Sequence, residues 1–386
     1  MNAPFTISDI FTERWADLAP ITATSYGIGG RDHLPADYSP DGYAARTDLY
    51  RATRKEMAAH LDEADPVQRR AAKVTVGWLD ARIGEFESGK WARDLNHIAS
   101  PLQIIRDVFD VMDRETPEGW SAIAERMSTY SEMLAGYRES LTVGLERGDT
   151  VAARQAQSAL DQSEAAASDD SRFLMLPDEA ARAGGDAEAV RAATEIARRA
   201  HGEFADWLRD AYLPSARPAD AVGREKYLQG AEEFLGMTLD PDETYQWAWS
   251  EIFRIRGEMK VAAGEIEQGK TVEEVIDILD NDPERSAVTR EDFARFVSNI
   301  QDQAISQLAG EHFDVPDELR TVAVNIAPPG GSLGAWYMAP SEDLTRPGSI
   351  WYAPGSRARI PYWQEVSTAY HEGFPGHHLQ VGTAVM

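Results

Sequence analysis

Three of the chain's eight histidines fall within ten residues, His371-Glu372-Gly373-Phe374-Pro375-Gly376-His377-His378-Leu379-Gln380. Neutral imidazole is the commonest protein ligand for zinc. A carboxylate beside the first ligand is placed to take a proton from a water at the metal. These residue types, so close together, point to metal-dependent hydrolysis. His371, His377 and His378 are the candidate ligands and Glu372 is the candidate general base.

The spacing echoes the zinc-protease pattern H-E-x-x-H without matching it, because Pro375 stands where the second histidine would fall. On a straight helix His377 would point about 120° away from His371, and His378 would align with it but sit roughly 10 Å along the axis. Neither closes a zinc site, whose nitrogens each lie about 2.0–2.1 Å from one ion. The helix must therefore deform between the ligands. Pro375 cannot donate to the carbonyl of His371 and its ring clashes there, and Gly376 accepts the backbone angles that result. A bulge of one or two residues would bring His377 to the second ligand position, with His378 as the alternative. A plain helix end, where histidine favours the last turn, accounts for one of these histidines but not for the combination.

The segment His-Glu-x-x-Pro-Gly-His-His-x-Gln resembles the signature of the bacterial DUF885 proteins, which look like distant relatives of helical zinc metallopeptidases of the gluzincin type. Upstream, Ala335-Trp336-Tyr337-Met338-Ala339-Pro340 followed by Arg346-Pro347-Gly348-Ser349-Ile350-Trp351-Tyr352 is similar to that family's aromatic stretch and Arg-Pro-Gly turn. Thr22-Ala23-Thr24-Ser25-Tyr26-Gly27-Ile28-Gly29 resembles its N-terminal opening. The resemblance implies a peptidase cleaving peptide bonds with one divalent metal, zinc first. It also implies a third ligand, a glutamate on a further helix. With Met386 six residues after Gln380, the expectation is that the family's C-terminal part is missing, leaving an inactive fragment.

Composition narrows the class less sharply. At 386 residues with 43% hydrophobic content and 10 Trp, the chain should fold around a sizeable core. It has no cysteine, so any metal must be held by histidine and carboxylate. The net charge of −27 argues against binding phosphate backbones and anionic membranes, and is read first as a solvated surface. No membrane span and no secretory signal are visible, so the expected compartment is the cytoplasm. Oligomeric state cannot be read.

Helix signals dominate the pattern. Thr116-Pro117-Glu118 opens a helix, and Trp120, Ile123, Met127, Tyr130, Leu134, Tyr137 and Leu141 then draw one apolar stripe. Asp240-Pro241-Asp242-Glu243 opens another, with Tyr245, Ala248, Ile252, Ile255 and Met259 as its stripe, and Thr271 to Glu274 reads as a capping box. Both stripes are expected to be core. Three regions follow: residues 1–146, helical; 147–200, an Ala/Asp-rich flexible connection; and 201–386, helical with short strands and the motif. The fold class is mainly α, a multi-helix metallopeptidase-like fold with a small β-sheet beside the motif helix.

The strand period appears only near the motif, in Thr321 to Ile326, Trp336 to Met338 and Ser349 to Tyr352. A sheet edge there could pair with an extended peptide substrate, or the aromatics could merely cover the core. The motif helix should start at Pro361 with Trp363, Val366 and Tyr370 facing inward. Tyr337 and Tyr352 are candidate hydrogen-bond donors to a developing oxyanion. The competing function is a non-catalytic acidic helical binding module, a degenerate peptidase-like protein that needs no metal.

Overall fold

Six proline-led helices open the chain, each using the position where a missing N–H costs nothing. The computed structural model describes residues 3–327, 334–355, 357 and 359–386. It divides into two compact units, residues 1–223 and 224–386. In the first unit the proline-led helices are α1 (Pro4–Leu18), α2 (Pro20–Ser25), α3 (Pro40–Ala58), α4 (Pro66–Glu87), α5 (Pro101–Asp107) and α6 (Pro117–Ser128). They are followed by α7 (Tyr130–Glu146), α8 (Ala153–Ala167), α9 (Leu176–Arg182) and α10 (Ala187–Trp207).

The stripe from Trp120 to Leu141 is buried throughout, as its spacing predicts. It runs over two helices rather than one. The ladder stops at Thr129, whose hydroxyl donates to the carbonyl of Arg126 at 2.7 Å and offers the backbone a local alternative. Residues 147–200, expected to be a flexible connection, instead carry α8, α9 and most of α10. Alanine explains the difference. Ala156, Ala159 and Ala166 of α8 and Ala193, Ala197 and Ala200 of α10 are buried at helical spacing, and small side chains let two helices approach closely. An Ala-rich stretch is a good helix former, and its Ser, Asp and Gly residues fall mainly at helix ends and on exposed faces.

The second unit holds α11 (Arg224–Leu235), α12 (Pro241–Ile266), α13 (Val272–Asn281), α14 (Arg290–Leu308), α15 (Tyr362–Glu372) and α16 (His377–Val385). Its strands are β1 (Ser286–Ala287), β2 (Ala323–Ile326), β3 (Gly334–Met338), β4 (Ser349–Ala353) and β5 (Ile360–Pro361). β4 is the centre of a three-stranded sheet, parallel to β2 with Val324 opposite Ile350, and antiparallel to β3 with Trp336 opposite Trp351. β1 and β5 form a separate antiparallel pair. The capping box at Thr271 and Glu274 is present. Ile350 and Tyr352 alternate toward Phe293 and Val297 of α14 and Ala369 of α15, which makes one core beneath the sheet.

Two expectations about buried faces are corrected here. The stripe of α12 is exposed, and Ala263 is the helix's one buried residue among those described. On α15 the buried positions are Glu365, Ala369 and Glu372, not Trp363 and Tyr370, which are 40% exposed. The indole of Trp363 donates outward to Asp280 at 2.9 Å. Aromatic side chains at helical spacing resemble a core stripe, but the sheet and α14 demand a narrow face, which Ala369 fits. No helix among the described residues is long and apolar enough to cross a membrane.

Candidate metal centre

α15 ends at Glu372 and α16 begins at His377, so the motif is a broken helix, as Pro375 and Gly376 require. The break is wider than a one- or two-residue bulge, and its Phe374–Pro375 peptide is cis. Its backbone groups are satisfied locally. Gly373 N–H donates to Ala369 O at 2.9 Å, Gly376 N–H to Tyr370 O at 3.1 Å and His378 N–H to Gly373 O at 3.1 Å.

Both glycines are there because of space. A Cβ on Gly373 would lie 2.1 Å from Oε1 of Gln301, and one on Gly376 would lie 2.1 Å from the carbonyl oxygen of His371. Between them Phe374 is fully buried among Ile305, Val315 and Leu319, so it anchors the loop. Gln301 reaches across from α14: its Nε2 donates to Ala369 O at 2.8 Å, and its Oε1 accepts from Phe374 N–H at 2.6 Å. Sequence reasoning missed Gln301. The signal was a lone amide in the stripe Phe293, Val297, Gln301, Ile305.

The break folds six residues of separation into one site. One donor atom from each of His371, Glu372 and His377 lies within 4.8 Å of the others. The two imidazoles meet edge to face with centroids 4.6 Å apart, and His377 Nε2 is 4.0 Å from Glu372 Oε2. Donors about 2.1 Å from a tetrahedral zinc stand roughly 3.4 Å apart, so a small closing motion would suffice. Neither the imidazole of His371 nor that of His377 makes a hydrogen bond among the described residues, which leaves their ring nitrogens available. Glu372 is 9% exposed. The donor set fits a divalent metal of the zinc type.

His378 does not join this cluster. It is fully buried, its Nε2 lies 3.0 Å from the carbonyl of Leu319, and its Nδ1 lies 3.0 Å from the hydroxyl of Tyr337. A carbonyl only accepts, so Nε2 carries the proton and Nδ1 accepts from Tyr337. Burial holds the pKa of His378 below its ordinary value, against a smaller opposing effect of the Leu319 carbonyl. Of the two candidates for second ligand, the structure brings His377, not His378, to His371.

The two tyrosines differ in the same way. Tyr337, on β3, spends its proton on His378, and burial raises its pKa to about 12 against a lowering effect of Arg346. Gly348 makes the contact possible, since a Cβ there would lie 2.0 Å from the Tyr337 hydroxyl oxygen and 2.9 Å from His378 Nδ1. Tyr352, on β4, is 2% exposed with its hydroxyl unpartnered among the described residues. Burial raises its pKa, and the carboxylates of Glu365 and Glu372 add to the effect. Glu365 is itself tied to Arg357 at 3.1 Å.

These features define a class: a largely helical protein whose broken motif helix gathers two histidines and a glutamate beside a small mixed sheet. The chain belongs to the DUF885 family, bacterial proteins of unknown function, which it matches over residues 20–386. Two solved structures are similar to it in fold. One is a crystal structure of a "putative lipoprotein" from Colwellia psychrerythraea, 19% identical with a TM-score of 0.83. The other, from Shewanella oneidensis, is described likewise and as of unknown function, at 16% identity and a TM-score of 0.65. Each comparison covers 98% of this chain and 72% of the other. No curated protein matches the chain.

Proposed function

We propose that the protein is a metal-dependent hydrolase of the zinc metallopeptidase type, with peptide bonds as its substrate. The observation that carries this reading is the convergence of His371, Glu372 and His377 within 4.8 Å across a break in the helix. His371 and His377 would hold the ion, and the family resemblance puts a third ligand, a carboxylate, on a further helix. A zinc ion so held would supply Lewis acidity toward a scissile carbonyl and toward water.

Glu372 takes the proton of the attacking water and returns it to the leaving amine, for which its place beside the two imidazoles, with Oε2 4.0 Å from His377 Nε2, is suited. The pair His378 and Tyr337 positions His377 rather than binding the metal. Tyr352 is the better placed of the two tyrosines to hold a developing oxyanion, because its hydroxyl is uncommitted. β3 has no strand on its outer side among the described residues, so a peptide can add there in extended form.

The test is zinc titration by calorimetry together with hydrolysis of a peptide library, on wild type and Glu372→Gln in a chain that carries the third ligand. Retained metal with lost turnover supports the reading. Indifference of both metal content and turnover to changes at His371 and Glu372 would favour the acidic binding module instead. The cytoplasm stays the proposed compartment, and recovery in the membrane fraction would replace it with the lipoprotein setting named for both solved neighbours.

A further inference from the structure

Of the 26 residues of α12, Ala263 is the one buried, yet the helix carries a continuous apolar seam. Tyr245, Ala248, Ile252, Ile255, Met259, Ala262 and Ile266 follow one another at alternating spacings of three and four. That is a heptad repeat with Tyr245, Ile252, Met259 and Ile266 at a, and Ala248, Ile255 and Ala262 at d. Tyr245 is 59% exposed, Ile252 41%, Ile255 45%, Met259 42% and Ile266 49%. Such a seam is the geometry of helix-on-helix packing, knobs into holes at about 20°. Its natural occupant is another helix.

We infer that α12 is a dimerisation helix that pairs in parallel, in register, with α12 of a second copy of this chain. The flanking charges are self-complementary, which fits a second copy, and they decide the orientation. Glu251 and Glu258 are the g positions and Arg256 is an e position. In a parallel pair Glu251 of one copy faces Arg256 of the other, twice over, whereas an antiparallel pair would set Glu251 against Glu258. Arg256 has no ion pair among the described residues and is exposed. Arg254, at c on the same helix, bridges Glu251 at 2.8 Å and Glu258 at 2.6 Å. The area is adequate. Six large seam and flank side chains, Trp249 included, each about half exposed at roughly 200 Å² apiece, give on the order of 600 Å² per copy. Two copies reach the ~1,200 Å² at which specific, stable interfaces begin.

Sedimentation equilibrium of the full chain at micromolar concentration should give twice the monomer mass. Ile252→Glu with Ile255→Glu should give a monomer with unchanged far-UV dichroism, since neither side chain is in the unit's core. The chain has no cysteine, so orientation can be read directly. Under oxidation Ile255→Cys should cross-link nearly completely, because like d positions meet in a parallel pair, while Ser250→Cys on the far face should not. Glu251→Arg alone should weaken the dimer at least several-fold, and adding Arg256→Glu should restore it. A wild-type monomer across the micromolar range overturns the inference, including a monomer that binds neutral phospholipid vesicles through this face. A dimer that Glu251→Arg tightens overturns the parallel pairing.

Discussion

Gln301 occupies the space that a side chain on Gly373 would fill, its Oε1 standing 2.1 Å from where that Cβ would be. The amide thereby spans the helix break that brings His377 to His371, bonded to Ala369 on one side and Phe374 on the other. Gln301→Leu should leave the buried Phe374 N–H without a partner, while Ala369 O keeps its bond from Gly373. The expected loss is about 1–3 kcal/mol in urea unfolding. Metal affinity should fall with it, because the break is what sets the ligand geometry. An unchanged midpoint would show that the loop holds its shape without the amide.

In a chain that carries the third ligand, Glu372→Gln should leave metal content intact and lower turnover at least ~10²-fold, the contribution typical of a placed acid/base. His371→Ala should remove the metal. If His371 and His377 are its only protein ligands, the 386-residue chain should bind zinc weakly, short of a tetrahedral set. Tight one-to-one binding by calorimetry, abolished by Glu372→Gln, would make Glu372 a ligand rather than the base.

Tyr337→Phe should strand Nδ1 of His378 in a buried site, and Gly348→Ala should force Tyr337 and His378 apart. Each is expected to cost about 1–3 kcal/mol, the first by desolvation and the second by overpacking. The informative measurement is zinc affinity relative to stability. If His378 serves to position His377, affinity should drop in both variants even where the fold survives. If affinity is untouched, the pair is structural only.

Acid stability of the first unit should reflect two buried groups of opposite sign. His201, beside Tyr130 at 2.8 Å, has its pKa lowered from 6.5 to about 3, chiefly by burial. The unfolded state then binds the extra proton, so this group's stabilisation is present above about pH 6.5 and is lost as pH falls toward 3. Asp94 has its pKa raised to about 6 by burial, so here the folded state binds the extra proton and stability rises as pH falls from 6 to 4. The two should nearly cancel between pH 4 and 6. Asp94→Asn should uncover a loss of about 1.4 kcal/mol per pH unit, and His201→Asn the reverse slope. Equal slopes in the two variants would refute the assignment.

Local chemistry was legible because it depends on neighbours in sequence. The break follows from Pro375, the caps from Thr116, Asp240 and Thr271, and the strands from the period of Thr321 to Ile326 and Ser349 to Tyr352. The choice of His377 over His378 did not follow, because it turns on the carbonyl of Leu319 and the hydroxyl of Tyr337, 59 and 41 residues away. The same holds for Gln301, whose partners lie 68 and 73 residues on. Hydrophobic spacing drew the stripes of α6, α7 and α12 alike, yet buried the first two and left the third exposed. Periodicity states that a face must be covered; which partner covers it depends on where the chain places its other helices, and only the tertiary structure decides that.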